Sequence, residues 1–326
     1  MAAVSDLPLT RLVDLRHLRS GDLDAILDEE TRLWNDTLDW DFRASANLVR
    51  RFLDMQALSG YALIANSQAV GYCYYVCEEK KGLIGDLYLM QDFVSAEREQ
   101  VLLGAVVDTL ARTPYVQRIE SQLMMLRNTR ALVLPQRQHL HAYVRVFMEA
   151  SLDLTAELPG KSSAYTGLIE GWTERKQDDS ALLISTAYQG HVDAEINDQY
   201  RSPVGARKFL TNIIQFPGCG SFFQPASFVA VDPSSRKLSG LCLGSLVHAD
   251  VGHITQVCVS KGARGTGLGY ELIRRSLQSF AVHGCRKVSL TVTATNRHAI
   301  ALYERMGFRR TRDFTALVWS DFSSKG

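Results

Sequence analysis

Apolar positions recur along this chain with two periods, one typical of helices and one typical of strands. In RSGDLDAILDEETRLW, residues 19–34, apolar residues recur every three or four positions and predict a helix. SGYALIANSQAVGYCYYV, residues 59–76, has two apolar runs joined by a polar tripeptide and predicts a β-hairpin. A strand, a helix that starts with serine and another strand are predicted after it, at residues 85–93, 95–112 and 116–126.

The same order of elements returns later in the chain. Residues 178–200 predict a helix, residues 226–247 a hairpin around DPSSRK, and residues 252–259 a strand. A glycine-rich loop follows. The remaining pattern predicts a helix, a strand, a short helix and a last pair of strands, at residues 269–284, 287–294, 296–306, 308–314 and 315–319. The repeated order indicates two copies of one α/β unit.

A boundary between the two copies is predicted near residue 160. From residue 155 to residue 167 hydrophobic periodicity stops, and small, polar and breaker residues take over. A chain of 326 residues suits two domains, since domains usually have about 100–200 residues. We therefore expect one domain at residues 1–160 and another at residues 161–326.

Composition narrows the classes of partner. Lys plus Arg number 36 and Asp plus Glu 35, so a net charge of +1 gives no electrostatic reason to expect nucleic acid or a membrane surface. No leader and no apolar run of about 18 residues is found, which predicts a cytoplasmic protein. The cysteines form no zinc-ligand spacing, so no metal is expected, and Cys73 and Cys77 are predicted to be buried reduced thiols.

VSKGARGTGLGYELI, residues 259–273, contains a glycine-rich loop of the kind that can bind a phosphate group. A dinucleotide fingerprint would need a sixth-place glycine counted from Gly265, where Tyr270 stands, and no Gly-Lys-Ser/Thr ending follows Gly267. A glycine loop before a helix is still a natural anion site, because the helix exposes unpaired N–H groups. Arg264 would add a cation. The alternative is a tight connection without a ligand.

A second motif lies in TVTATNRHAIALYERMGF, residues 291–308. Asn296 is a predicted N-cap, Gly307 a helix stop, and Tyr303 lies on the short helix between them. Together with the loop, this resembles the GNAT acetyltransferase superfamily and its signatures [QR]-x-x-G-x-[GA] and N-x-x-A-x-x-L-Y-x-x-x-G-F. The first is matched by Arg264, Gly267 and Gly269, and the second by Asn296, Ala299, Leu302, Tyr303, Gly307 and Phe308.

The first half has a similar order of elements but lacks both signatures. At the position of the glycine loop stands DFVSAEREQ, residues 92–100, and residues 127–136 do not match the second motif. The resemblance therefore implies two tandem GNAT-like acyl-CoA N-acyltransferase domains, each a mixed, mostly antiparallel, splayed sheet flanked by helices. The first domain would be degenerate, with a structural or substrate-shaping role.

In the family, acyl-CoA lies between two splayed strands. The resemblance implies acetyl-CoA as donor, Asn296 as support for the cofactor arm and Tyr303 as general acid near the sulfur. Pantetheine would pair with the backbone of Val257, Cys258 and Val259. The pyrophosphate would be held by the loop, whose residues are Arg264, Gly265, Thr266, Gly267, Leu268, Gly269 and Tyr270.

The general base is the weakest part of the resemblance. Where many members of the family have a glutamate, this chain has Gln256 and Thr291, and neither is a base near neutral pH. His253 and His248 titrate in the right range and are candidates, although each is also typical of a packed or solvated strand end. A water chain, a base from the acceptor-binding loops or an amine that arrives neutral would also serve.

The acceptor is predicted to be a small-molecule or peptide amine. Asp193, Glu195 and Asp198 could attract a cationic amine or could form a solvated helix face. Tyr200, Phe209 and Phe216 are expected to pack.

Two other functions compete with an N-acetyltransferase that acts on an amine of unknown identity. A non-catalytic acyl-CoA-binding or interaction module is favoured by the missing carboxylates and the degenerate first half. An acetyltransferase for protein N-termini or lysines would differ in its acceptor only. The oligomeric state is left open, with a homo-oligomer as one option.

Overall fold

The structure, a computed structural model, describes residues 10–127, 133–153 and 165–321 and the single positions 158 and 160. Its strands are β1 (Thr10–Asp14), β2 (Ser59–Ala65), β3 (Gln68–Glu78), β4 (Lys81–Leu89), β5 (Arg118–Gln122), β6 (Leu140–Ser151), β7 (Leu168–Gly171), β8 (Ser221–Phe222), β9 (Phe228–Val231), β10 (Leu238–His248), β11 (Val251–Val259), β12 (Lys287–Thr293) and β13 (Arg309–Trp319). Its α-helices are α1 (Ser20–Leu38), α2 (Arg43–Asp54), α3 (Ala96–Arg112), α4 (Gln177–Ala187), α5 (Asp193–Ile196), α6 (Pro203–Gln215), α7 (Leu268–Val282) and α8 (Arg297–Arg305).

Local sequence signals fix several of these elements. The hairpin β2–β3 turns at Asn66 and Ser67, whose φ angles are 49° and 64°, as two-residue hairpin turns require. Helix α3 begins where Ser95 accepts a hydrogen bond from the Arg98 amide at 3.2 Å, as its sequence predicts. Ser202 caps α6 in the same way, with proline at the first helical position.

Two compact units make up the chain, and each contains one series of hydrogen-bonded strands. The first comprises Met1–Thr37, Phe42–Tyr143 and Phe314–Gly326, and the second Leu38–Asp41 and Val144–Asp313. In the first, the strand order is β1-β2-β3-β4-β5, followed by residues 316–319 of β13. In the second it is β7-β9-β10-β11-β12, followed by residues 145–151 of β6.

The two series of strands share one pairing pattern. Neighbouring strands are antiparallel except β4 with β5 and β11 with β12, which are parallel. In the first unit, α3 packs on the sheet through a cluster that includes Leu103 and Val107. In the second, α7 and α8 cover one face, around Phe280, and α4 and α6 cover the other, around Ile184. The prediction of two copies of one mixed, mostly antiparallel unit is confirmed.

The compact units are not the continuous stretches 1–160 and 161–326, because each takes its last strand from the other half of the chain. Periodicity predicts that a segment is a strand, but it does not predict which sheet edge that strand joins. The segment where the boundary was predicted, residues 155–167, lies largely outside the described residues.

Three other predictions differ from the structure. Residues 308–319, predicted as a pair of strands, contain the single strand β13, since no glycine or proline interrupts them. The helix predicted over 178–200 ends with α4, and Gly190 has a φ of 73° before the short α5. Cys77 is exposed although Cys73 is buried. Among the described helices, none has the length and apolar character needed to span a membrane.

Candidate active site

Strands β11 and β12 separate part of the way along their length. They pair from Val251 with Lys287 to Ile254 with Leu290. Beyond that point β11 continues beside β10, and β12 continues beside β6. We call the opening between residues 255–259 of β11 and residues 291–293 of β12 the cleft. A bulge at Thr255, between the pairs Leu243–Gln256 and Gly244–Ile254, marks its beginning.

The strand predicted to bind pantetheine lies along this cleft. Val257, Cys258 and Val259 follow the last pair with β12 and remain paired with β10. The carbonyl of Val257 accepts a hydrogen bond from the Tyr188 hydroxyl at 3.2 Å. The assignment of these three residues to pantetheine stays a prediction, and Tyr188 is a neighbour of the strand that sequence reasoning did not identify.

The glycine loop leads from the end of β11 into α7. Gly265 and Gly267 have φ angles of 78° and 86°, which favour glycine. Gly267 is the N-cap of α7 and supplies no side-chain cap, so the first-turn amides of Leu268 and Gly269 lie outside the helical ladder. Within the loop, the Thr266 hydroxyl donates to the carbonyl of Ala263 at 2.8 Å. These features favour an anion at the start of α7.

The side chain of Arg264 lies on the side of the loop that faces α4. Its Nη2 donates to the carbonyl of Ala187, the last residue of α4, at 2.9 Å. A cation at the carboxyl end of a helix is stabilising. Arg264 therefore holds the loop against α4, and its predicted contact with a phosphate stays a prediction.

In the first unit, the equivalent place is filled by the protein's own groups. Ser95 caps α3, whereas α7 has no side-chain cap. The Glu29 carboxylate accepts hydrogen bonds from the Gln91 amide at 2.8 Å and from the Tyr88 hydroxyl at 2.9 Å. Glu99 on α3 accepts one from the Arg127 amide at 3.1 Å. These carboxylates disfavour a phosphate there, which agrees with the absence of the glycine signature.

Helix α8 carries the residues of the second motif. The predicted N-cap is confirmed, since Asn296 accepts from the Ala299 amide at 3.3 Å. Tyr303 is 6% exposed, and burial raises the pKa of its phenol above the usual value, so it is protonated at neutral pH. Its hydroxyl makes no hydrogen bond to any residue that the structure describes, and its ring lies 5.9 Å from that of Phe308.

The face of the sheet under α4 and α6 brings aromatic and polar side chains to the cleft. The rings of Tyr188 and Tyr200 stack at 4.6 Å, and the Tyr200 hydroxyl donates to Oε1 of Gln256 at 3.4 Å. The ring of Phe209 meets that of Tyr200 edge-on at 4.9 Å, so these two residues pack as predicted, whereas Phe216 is 52% exposed. Burial raises the pKa of Cys258 to about 12, which keeps it a thiol and disfavours a covalent acyl-enzyme.

Arg145 is a residue of this site that sequence reasoning missed. It lies on β6, and its Nη1 donates to Asp193 Oδ1 at 2.9 Å and to Thr293 Oγ1 at 2.7 Å. Thr293 donates to the same carboxylate oxygen. Asp193 is therefore held in a largely buried ion pair rather than on a solvated face. No local pattern distinguished Arg145, because it comes from the first half of the chain.

The other acidic candidates are at the surface or near it. Glu195 pairs with Arg201 at 2.7 Å, with both side chains about half exposed. Asp198 begins a 3₁₀ turn whose cap is Asn197. Of the three predicted acceptor carboxylates, Asp193 is the one that the structure brings to Arg145 and Thr293.

The two histidines proposed as bases do not lie at the cleft. His253 is on the paired part of β11, where Nδ1 bonds Ser289 Oγ at 2.8 Å and the ring packs between Trp40 and Phe147. Burial lowers the pKa of His253 to about 4. His248 ends β10 and pairs with Asp250 at 2.6 Å. Both therefore fit structural roles.

The buried His253 predicts an acid-sensitive second unit. The unfolded chain binds a proton at the usual pKa of 6.5 and the folded unit only near 4, so stability present above pH 6.5 is lost as pH falls toward 4. We expect His253 to account for a loss of about 2 kcal/mol between pH 7.5 and pH 5. Melting curves at the two pH values should show a smaller acid shift for His253→Phe. Equal shifts in wild type and variant would contradict the prediction.

Within the residues that the structure describes, no three His, Cys, Asp or Glu side chains are grouped so as to hold a metal ion. Residues 192–308, which contain the cleft, the loop and α8, match the model of the acetyltransferase (GNAT) family.

Two named proteins are similar in sequence to parts of this chain. N-alpha-acetyltransferase MAK3 of Arabidopsis thaliana is 35% identical over 80 residues, which are 22% of this chain and 42% of that protein. Mycothiol acetyltransferase of Corynebacterium glutamicum strain R is 48% identical over 52 residues, 16% of this chain and 18% of that protein. The chain thus spans less than half the length of either relative.

Solved structures resemble the whole chain in fold. A GCN5-related N-acetyltransferase from Sphaerobacter thermophilus matches with a TM-score of 0.64 and 16% identity, over 95% of both chains. A tandem GNAT protein from the clavulanic acid biosynthesis pathway matches with a TM-score of 0.58 and 14% identity, over 95% of this chain and 98% of that one. The chain therefore has the tandem GNAT fold.

Proposed function

We propose that this chain transfers an acetyl group from acetyl-CoA to an amine by direct attack, since residues 192–308 match the model of the acetyltransferase (GNAT) family. The observation that carries this proposal is the uncapped start of α7 at the end of β11, the strand that leaves β12 to form the cleft. An acyl donor with an extended arm and a pyrophosphate matches a strand edge that ends at an anion site.

Each site residue has a role in this reaction. The amides at the start of α7 bind the pyrophosphate, the edge of β11 binds the arm, and Asn296 supports that arm. Acetyl-CoA supplies a thioester carbonyl, which the neutral amine attacks. As the carbon–sulfur bond breaks, Tyr303 gives its proton to the leaving sulfur. Tyr303 is protonated at neutral pH, and its hydroxyl makes no hydrogen bond within the described residues, which leaves it available to donate to the sulfur.

The amine proton needs a different route. Gln256 and Thr291 cannot accept it, and both Arg145 and Thr293 already donate to Asp193 Oδ1. The two histidines lie outside the cleft. We therefore propose that the amine reacts in its neutral form and loses its proton to water after attack.

A non-catalytic acyl-CoA-binding module is the alternative. It is favoured by a different observation, since the strands that border the cleft have Gln256 and Thr291 where a carboxylate base would be expected. The two readings differ in turnover, because only the enzyme consumes acetyl-CoA when an amine is present. The names of the relatives do not decide the acceptor, since one names an N-alpha-acetyltransferase and the other a mycothiol acetyltransferase.

The test combines ligand binding with turnover. Acetyl-CoA at about 100 times its dissociation constant should stabilise the protein by about 2.7 kcal/mol, which raises the melting temperature. Acetylated products from an amine panel are then measured by mass spectrometry. No shift at millimolar acetyl-CoA would contradict the proposed donor, and a shift without any product would favour the binding module.

A further inference from the structure

Two buried hydrogen-bond donors lack partners beside the cleft. Among the described residues, three buried side-chain polar atoms have no partner, namely Arg145 Nε, Gln256 Nε2 and Ser245 Oγ. The first two belong to residues that contact Asp193 and Tyr200. Native proteins rarely leave such groups unsatisfied, and exceptions call for an explanation. Here both groups are N–H donors, so the missing partner must offer oxygen or another acceptor atom.

Gln256 is fixed with its amide nitrogen unused. The side chain is on the buried face of β11, 5% exposed. Tyr200 donates to Oε1 at 3.4 Å, and among the described residues Nε2 is the end that remains without a partner. Since Gln256 directly follows the bulge at Thr255, its amide is at the point where the cleft begins.

Arg145 is fixed in a similar way. Asp193 and Thr293 both bind Nη1, and Nε has no partner among the described residues. Nε and Nη2 form one edge of the guanidinium. That edge has the fork geometry that binds a carboxylate with two parallel hydrogen bonds. The side chain is only 13% exposed, so a ligand there would be largely removed from water.

Both donors flank the same tyrosines. The Tyr200 hydroxyl bonds Gln256, and the charge of Arg145 partly offsets the rise that burial causes in the pKa of Tyr200. Arg145 has the same effect on the pKa of Tyr303. Contacts also connect the two donors, because His191 lies 3.7 Å from Asp193 and the Tyr188 ring contacts the rings of both His191 and Tyr200. Both donors therefore lie at one cluster of side chains in the second unit.

We propose that the acceptor amine carries a carboxylate, and that Arg145 and Gln256 bind its oxygens. This inference rests on the proposed function and names the class of its acceptor, an amino acid or a related small amino carboxylate. A singly charged group suits the site better than a doubly charged phosphate. Asp193 already neutralises Arg145, so a bound carboxylate would share that one cation with Asp193. The second negative charge of a phosphate would be buried without a further cation.

The test measures discrimination between matched amines. The probes are the L-amino acids, their carboxamides, and O-phosphoethanolamine as the phosphate arm. For the wild type we expect kcat/KM to be about 10- to 100-fold higher for the best amino acid than for its carboxamide, because a hydrogen bond to a charged group is lost. O-phosphoethanolamine should be the poorer substrate.

Variants of Arg145 and Gln256 test whether these two side chains produce the preference for the acid over the carboxamide. Arg145→Lys keeps a cation for Asp193 but loses the fork, and Gln256→Met keeps the shape but loses the donor. We expect either variant to reduce the preference for the acid over the amide to within about 3-fold, with the acetyl-CoA melting shift retained. Arg207→Lys is the matched control, since Arg207 pairs with Asp178 at the surface, and it should keep the full preference.

Three outcomes would overturn the inference. They are equal kcat/KM for acids and amides, a preference for O-phosphoethanolamine, and a preference for acids that survives Arg145→Lys.

Calorimetric binding of the same probes to CoA-loaded protein separates this inference from the proposed function. Binding of acids but not amides without any acetylation would support the carboxylate site and contradict the transferase. Acetylation of simple amines together with no binding of any amino acid would support the transferase and contradict the carboxylate site.

Discussion

Replacing Tyr303 with phenylalanine is expected to lower kcat by about 100- to 10,000-fold, the usual contribution of a positioned general acid. The ring packs against Phe308 and the α7 core, and phenylalanine keeps that packing. The hydroxyl makes no hydrogen bond within the described residues, so its removal leaves no buried partner unsatisfied. The dissociation constant of acetyl-CoA should therefore change less than about twofold.

Steady-state kinetics with a good amine and calorimetric titration of acetyl-CoA would measure the two effects separately. Tyr61→Phe is a suitable control, because Tyr61 is a partly buried tyrosine of the first unit that bonds Thr109 at 2.8 Å. An unchanged kcat in Tyr303→Phe would remove the proposed acid role. A loss of acetyl-CoA affinity equal to the loss of turnover would assign Tyr303 to binding instead.

Replacing Gly269 with glutamate is expected to abolish the melting shift caused by acetyl-CoA while the protein stays folded. A Cβ at Gly269 would meet only ordinary contacts, 3.6 Å from Val259 Cγ2 and 3.8 Å from Leu302 Cδ2. A negative charge in the first turn of α7 stabilises the helix itself. The same charge repels a pyrophosphate at the amides of that turn. Acetyl-CoA binding should therefore weaken, while the stability of the protein without ligand should not decrease.

This variant is a cleaner test than one at Gly267, whose φ of 86° makes any side chain strained. Melting temperatures with and without acetyl-CoA would be compared for wild type, Gly269→Glu, Gly269→Gln and Gly269→Ala. Alanine should retain the shift, and glutamine should lose less of it than glutamate, since it adds bulk without charge. A full shift in Gly269→Glu would place the pyrophosphate away from this turn.

The local parts of the site could be predicted because each depends on neighbours in sequence. Gly267 has the backbone conformation that its loop requires, and Asn296 caps α8 through an amide three residues away. Hairpin turns and the Ser95 cap follow from the same short-range chemistry. The family signatures combine such local rules, which is why they identified the fold from one sequence.

The acceptor side of the site could not be predicted in this way. Arg145 and Asp193 are 48 residues apart and meet through strand pairing. His253 looked like a candidate base until the sheet placed its ring between Trp40 and Phe147. In each case burial and partners changed the chemistry of the residue, and neither is visible in periodicity.

The sequence by itself determined the repeated α/β order, the glycine loop before α7 and the position of Tyr303 on α8, since turns, caps and apolar periods act over a few residues. Only the tertiary structure decided that each unit takes its last strand from the other half, and that Arg145 and Gln256 keep unpaired donors beside the cleft. The physical reason is that sheet edges and buried donors are satisfied by groups distant in sequence.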